Sequence, residues 1–285
     1  MNKPLAGTLY VVASPIGNAQ DLSPRALATL RTADLVLAED TRAARKLLEG
    51  HGIDRRTQSC FDANEPARAE QAASWLRSGA SVALLSEAGT PTVSDPGYRV
   101  VRAAIAAGAR VVPVPGPSAV LAALVGSGLP TDRFFFLGFP PRKSGARHEL
   151  LAQLRSLDAT LVFFESPHRV AATLSDLAAV LGPDRPACVS RELTKSHEEF
   201  VRGSLAELAR RYADERPLGE VTLVVGGAPQ GLESNGPCDE EVCARARALL
   251  AEGLSVRDAA DTLASETGRP RRETYRVMLD LRRRR

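Results

Sequence analysis

The chain has 285 residues, 44% of them hydrophobic and 25% charged, an ordinary globular composition with enough apolar residue for one large core or two to three smaller ones. No apolar run approaches the roughly 20 residues that a membrane helix requires, and the opening residues lack the long apolar stretch of a secretory leader. Net charge is only +3, so the molecule as a whole is not strongly basic.

Taken in chain order, short apolar runs alternate with helical patterns. Residues 8–13 read as a strand buried on both faces, and Ser23-Pro24 as an N-cap followed by proline at the first helical position. Strands are predicted at residues 35–38, 81–86 and 110–114. Helices are predicted at 41–49, 66–78 and 97–107, the last stopped by Gly108. Alternation of this kind implies a parallel sheet covered by helices. After Pro115 comes a short helix over 118–125. Four further strands follow, at 134–137, 160–164, 187–191 and 221–225, with helices near 147–157, 169–181 and 205–212 between them. The expected organisation is α/β: an N-terminal domain over residues 1–116, a second α/β domain over 117–228 and a linker over 229–239. A small helical tail over 240–285, with Ser255 opening a helix-turn-helix-like segment, completes it. Arginine far outnumbers lysine along the chain. Residues 268–285 carry eight arginines against Glu273 and Asp280, a local excess suited either to phosphate or to solvation of a tail.

Three loops rich in glycine and proline follow predicted strands. They contain Pro15 and Gly17; then Gly89, Thr90, Ser94, Asp95 and Gly97; then Pro117, Ser118 and Ala119. In an open α/β sheet, ligands bind beyond the carboxyl ends of the strands, and glycine lets a ligand approach the main chain. No GxGxxG follows the first strand and no GxxxxGK[ST] occurs, so a small ligand with few phosphates is expected. Charged clusters lie at other strand ends: Glu39-Asp40-Thr41-Arg42, then Glu165-Ser166-Pro167-His168-Arg169, then Arg191-Glu192 through Lys195 to Glu199. Helix caps and surface ion pairs are the competing reading of each. His168 and His197 have no metal-ligand spacing, so no metal is expected. The four cysteines, Cys60, Cys188, Cys238 and Cys243, form no CxxC pair and read as reduced thiols of a cytosolic protein.

With those segments assembled, the sequence resembles the ribosomal RNA small subunit methyltransferase I family of the tetrapyrrole-methylase superfamily. The resemblance is carried by LYVVASPIGNAQDLSPRAL, LAEDTR, LLSEAGTPTVSDPG and PVPGPSA. It continues through FFFLGFPPRK, FFESPHR, RELTKSHEE and GEVTLVVGG, spanning about residues 5–227. One departure is Leu218, where a basic residue is expected before Gly219. The resemblance implies two α/β domains with S-adenosylmethionine in the cleft between them, and usually a cytoplasmic homodimer. The implied acceptor is the ribose 2′-oxygen of a cytidine in the decoding region of 16S rRNA in the small ribosomal subunit. On this reading the glycine-proline loop residues named above, with Phe164 and Glu192, line the donor pocket. Glu165 and His168 are the preferred bases, Glu39 and Lys195 further catalytic candidates, and Arg42, Arg169, Arg191, Arg271 and Arg272 meet RNA. The alternatives are a tetrapyrrole C-methyltransferase and a non-catalytic nucleic-acid-binding regulator.

Overall fold

The computed structural model describes residues 7–229, 240–269 and 271–283. The first sheet is fully parallel. It contains β1 (Thr8–Val12), β2 (Leu35–Ala38), β3 (Thr57–Ser59), β4 (Ser81–Leu85) and β5 (Arg110–Val114), in the order β3-β2-β4-β1-β5. Its helices are α1 (Pro24–Thr32), α2 (Thr41–Gly50), α3 (Glu65–Arg77) and α4 (Tyr98–Ala106). Helices on both faces leave the central strands dry, so residues of either parity are apolar. Val12, Val36 and Leu85 join one core, while Leu9, Leu37 and Leu84 join the other. Register then decides where the loops meet. Val12 stands opposite both Leu85 and Val114, and Ala38 opposite Leu85. The loops after β1, β4 and β5, together with Glu39 after β2, therefore emerge side by side.

After α5 (Ala119–Ser127), a second sheet has the order β6-β7-β10-β8-β9. Its strands are β6 (Phe134–Phe136), β7 (Thr160–Glu165), β8 (Pro186–Arg191), β9 (Glu199–Ser204) and β10 (Val221–Val225). The interleaved helices are α6 (Ser144–Leu154), α7 (Val170–Leu181) and α8 (Leu205–Asp214). Along β7 the two-residue period splits the side chains. Leu161 and Phe163 enter the core beneath α6–α8, and Val162 and Phe164 face α5. Because β10 runs antiparallel to β7 and β8, Val221 stands opposite both Glu165 and Arg191. The ends of β7 and β8 and the start of β10 thus converge. Both sheets lie in one compact unit running to Pro229.

The second unit begins at residue 230 and contains α9 (Glu240–Ala251), α10 (Val256–Thr267) and α11 (Arg271–Arg283) around Leu249, Ala260, Leu263 and Met278. Ser255 caps α10 by accepting from the Asp258 N–H, and Gly268 ends it in the left-handed region at φ +67°. Cys60 and Cys188 are free and buried. Cys243 is disulfide-bonded, which corrects the expectation of four reduced thiols, since spacing does not reveal which cysteines meet in space. No helix among the described residues is long and apolar enough to cross a membrane.

One capping interaction was not legible in sequence. Gly97 precedes α4 at φ +126° and has no side chain with which to cap it. Instead the buried Glu65, from the first turn of α3, accepts from the Gly97 N–H at 2.9 Å and the Arg99 N–H at 2.7 Å. The carboxylate thus answers orphan donors at the positive end of the α4 dipole. Glu65→Ala should lower unfolding free energy by about 1–3 kcal/mol, read by urea titration, with an unchanged far-ultraviolet spectrum.

Candidate functional site

The two sets of converging loops face each other across a cavity of about 310 Å³. One wall is Ile16, Ala88–Thr90, Val93–Asp95 and Ser118–Val120, and the other is Phe139, Phe164–Pro167 and Gly219–Thr222. A second recess of about 410 Å³ shares Ile16, Ala88, Asp95 and Glu220 with it and adds Glu39, Glu87, Gly17 and Lys195. The first is largely apolar and the second is ringed by carboxylates.

Backbone strain concentrates in the loops around these spaces. Among the described residues, the non-glycine positions with positive φ are Thr92 (72°), Ser94 (65°), Glu192 (50°) and Thr194 (66°). Branched and polar residues adopt that region at a cost of order 1–3 kcal/mol, and such strain gathers where a loop shape is used. Glycines mark the close approaches. A Cβ on Gly89 would come within 3.3 Å of Ile16 Cγ2, one on Gly17 would clash with Lys195 Cγ, and one on Gly219 would overlap the Glu192 carboxylate.

The charged residues divide into those answered within the protein and those left open. Glu165 is fully enclosed: its carboxylate accepts from the Ser166 N–H at 2.8 Å and the Thr173 hydroxyl at 2.6 Å, and lies 3.2 Å from Arg169. Arg169 also donates to the Pro140 carbonyl at 2.6 Å. Expected as a base and a phosphate ligand, this pair instead forms an internal clamp. Asp40 caps α2 through the Arg42 and Ala43 N–H groups, which hold its carboxyl below the usual range. Arg191 donates to Glu199 at 2.6 Å. Lys195 reaches Glu192 at 2.9 Å and Glu220 at 3.1 Å. Burial opposes its charge, but hydrogen bonds to Glu192 and then Glu220 outweigh it and raise the ammonium's pKa. Lys195 is therefore held as an ammonium between two carboxylates. His168 is exposed, outside the cavity, with Nε2 at 2.7 Å from Arg216.

Glu39 and Asp95 are the acids with no answering cation, although Ser86 hydrogen-bonds Asp95. Burial, then Glu87 and Asp62, raises the pKa of Glu39. Burial, then Glu39 and Glu87, pushes Asp95 up to about 6. Asp95 belongs to both spaces, so it stands where they join. Of the expected RNA contacts, Arg42 is almost fully exposed and Arg271 is paired with Asp261. The Arg272 side chain lies outside the described residues. Glu87, Thr222 and Phe139 line the cleft though no feature of their own pointed to them. Only their position inside recognised segments could have signalled them.

Comparison with known proteins agrees with this geometry. The tetrapyrrole (corrin/porphyrin) methylase model matches residues 8–209, and the RsmI C-terminal HTH domain model matches residues 237–282. A ribosomal RNA small subunit methyltransferase I of Micromonospora olivasterospora is 47% identical over 95% of this chain and 86% of its own length. Its namesake in Mesorhizobium japonicum is 46% identical over 98% and 94%. This chain belongs to the ribosomal RNA small subunit methyltransferase I family. Among solved structures, uroporphyrin-III C-methyl transferase from Thermus thermophilus, complexed with S-adenyl homocysteine, matches with a TM-score of 0.55. That match is at 23% identity over 77% of this chain and 97% of the other.

Membership makes the chain a methyltransferase whose donor is S-adenosylmethionine. The residues present suit that molecule. An apolar cavity with glycine-opened main chain accepts a flat purine, and the carboxylate-lined recess beside it complements a sulfonium and an ammonium. The same negative recess would repel the phosphates of a nucleotide cofactor.

The open acid should cost stability when no ligand is bound. The folded pKa of Asp95, about 6, lies above the ordinary aspartate value of 3.8, so folding favours the protonated form. The contribution is fully present below pH 4 and is lost as pH rises through 6. Asp95→Asn should raise the Tm of the unliganded protein by about 2–4 °C at pH 8 and leave it unchanged at pH 4, by scanning calorimetry.

Proposed function

We propose that this chain transfers the methyl group of S-adenosylmethionine to the ribose 2′-oxygen of a cytidine in the decoding region of 16S rRNA. In this reading it works on the small ribosomal subunit, as a cytoplasmic homodimer. The observation that carries the reading is near-full-length identity of 46–47% to relatives named for small-subunit ribosomal RNA, on a chain whose cleft suits the donor. The helical tail supplies a second grip on RNA. The dimer is supported by α5, where Leu121 and Val125, one helical turn apart, are 52% and 72% exposed.

The donor supplies a methyl carbon already activated by positive charge. The protein's tasks are to hold the acceptor oxygen in line with it and to remove a proton. The donor pocket in this proposal takes Gly89, Thr90, Ser94, Asp95, Ser118, Ala119 and Phe164 from the expected set. Pro15, Gly17, Gly97, Pro117 and Glu192 shape the loops around it. Glu165 and Arg169 become positioning residues, because their polar atoms are turned toward each other and toward the loop over 137–143. Asp95 is the proton acceptor, with burial and then Glu39 raising its pKa toward the working pH, where general bases are most effective. The fixed ammonium of Lys195 steadies the oxygen as its O–H bond breaks. The new C–O bond forms as the methyl–sulfur bond breaks, its electron pair staying on sulfur.

Small subunits from a strain lacking this gene should accept tritium from labelled donor, with the label on a ribose 2′-oxygen after nuclease digestion. The rate should climb with pH through about 6 as Asp95 ionises, and Asp95→Asn should lose about 100-fold in turnover together with that acid limb. Label on a base would discard the ribose chemistry. Donor binding with no label in RNA would favour a tetrapyrrole acceptor. An intact acid limb in Asp95→Asn would remove Asp95 from proton transfer.

A further inference from the structure

The loop between β6 and α6 has no assigned role, yet it reaches the cavity. Gly138 turns at φ +63° and its carbonyl accepts the Phe164 N–H at 2.9 Å. A Cβ on Gly138 would lie 3.2 Å from Ser94 Oγ, so this loop abuts the strained loop of the opposite wall. Phe139 follows, lining the cavity with 59% of its surface exposed. Its ring lies 5.6 Å from that of Phe164, which in turn meets Phe136 edge-on at 4.9 Å.

The backbone beneath Phe139 is held unusually firmly for a loop. Arg169 donates to the carbonyls of Pro140 at 2.6 Å and Pro141 at 3.3 Å. The buried Arg147 donates to those of Pro141 at 2.9 Å and Arg142 at 3.3 Å, and is itself paired with Asp176. One buried and one half-buried arginine thus tie down three consecutive carbonyls. Arg142 and Lys143, next along, are exposed and form no ion pair among the described residues. A rigid, half-exposed aromatic ring beside two open cations is poorly explained by packing, which would bury the ring. It matches what a single extruded nucleotide offers: a flat base to stack and flanking phosphates to neutralise.

We infer that Phe139 is the stacking platform for the nucleobase whose ribose is methylated, with Arg142 and Lys143 holding the adjoining phosphates. This rests on the RNA-methyltransferase reading and adds the subsite that reads the acceptor. Pre-ordering of the loop lowers the entropic cost of capture. Phe139 and Asp95 line the same cavity, so a base stacked on the ring shares that space with the proton acceptor.

The test compares Phe139→Ala and Phe139→Tyr with the unaltered enzyme, measuring donor Kd by calorimetry, KM and kcat for tritium transfer to small subunits, and association state by light scattering. The expected result is a rise in KM for subunits of about tenfold in Phe139→Ala, with donor Kd within twofold, unchanged association and recovery in Phe139→Tyr. Weakened donor binding with KM unmoved would assign the ring to the donor's adenine and overturn the inference. A change of association state alone would make it a dimer contact, with the same consequence. Unchanged KM, with normal labelling by the unaltered enzyme, would defeat the platform and spare the RNA reading. Absence of RNA labelling by the unaltered enzyme would defeat both.

Discussion

A carboxylate taken wholly out of water must be answered, and the answer given to Glu165 fixes one whole wall of the cleft. Its partners come from the next residue, from the first turn of α7 and from Arg169, which carries the constraint onward to the carbonyls of Pro140 and Pro141. The end of β7, the start of α7 and the loop bearing Phe139 are thereby one hydrogen-bonded object. Removing a partner would leave a charge stranded in a dry interior, which costs far more than a surface pair contributes.

The opposite wall is organised in the reverse way. Parallel register brings Glu39 and Glu87 to neighbouring strand ends, the loop after β4 carries Asp95 into the same recess, and Lys195, already shared between Glu192 and Glu220, does not neutralise them. Burial and mutual repulsion lift the pKa values of Glu39 and Asp95. A site that keeps uncompensated negative charge gives up stability to hold it, and gains a place where a cation is welcome. This contrast between answered and open charge separates the scaffold from the chemistry better than residue type does. It also explains how the cleft can favour a sulfonium donor.

Much of this was legible in the sequence. Glycine and proline at three strand ends located the cleft, because those residues report backbone shape directly. The two-sided burial of β1, β2 and β4 was visible as unbroken apolar runs. What stayed hidden depended on distant partners. Glu165 sits at a strand end like a catalytic acid, and no local signal shows that Thr173 and Arg169 close over it. Asp40 beside Glu39 looks equally available until its N-cap bonds are seen. The strand β9 escaped notice because EFVRGS is half-exposed and charged. Its pairing comes from the neighbouring β8, with Arg191 opposite Glu199. The cap that Glu65 gives α4 spans more than thirty positions and leaves no periodic trace.

The most direct test of the central claim, that the donor lies between these two walls, is amide hydrogen exchange of the full chain with and without S-adenosylmethionine. The account predicts slowed exchange at 88–95, 118–120 and 219–222, with the helical tail unaffected. Slowing confined to other loops, or to residues 240–283, would contradict it.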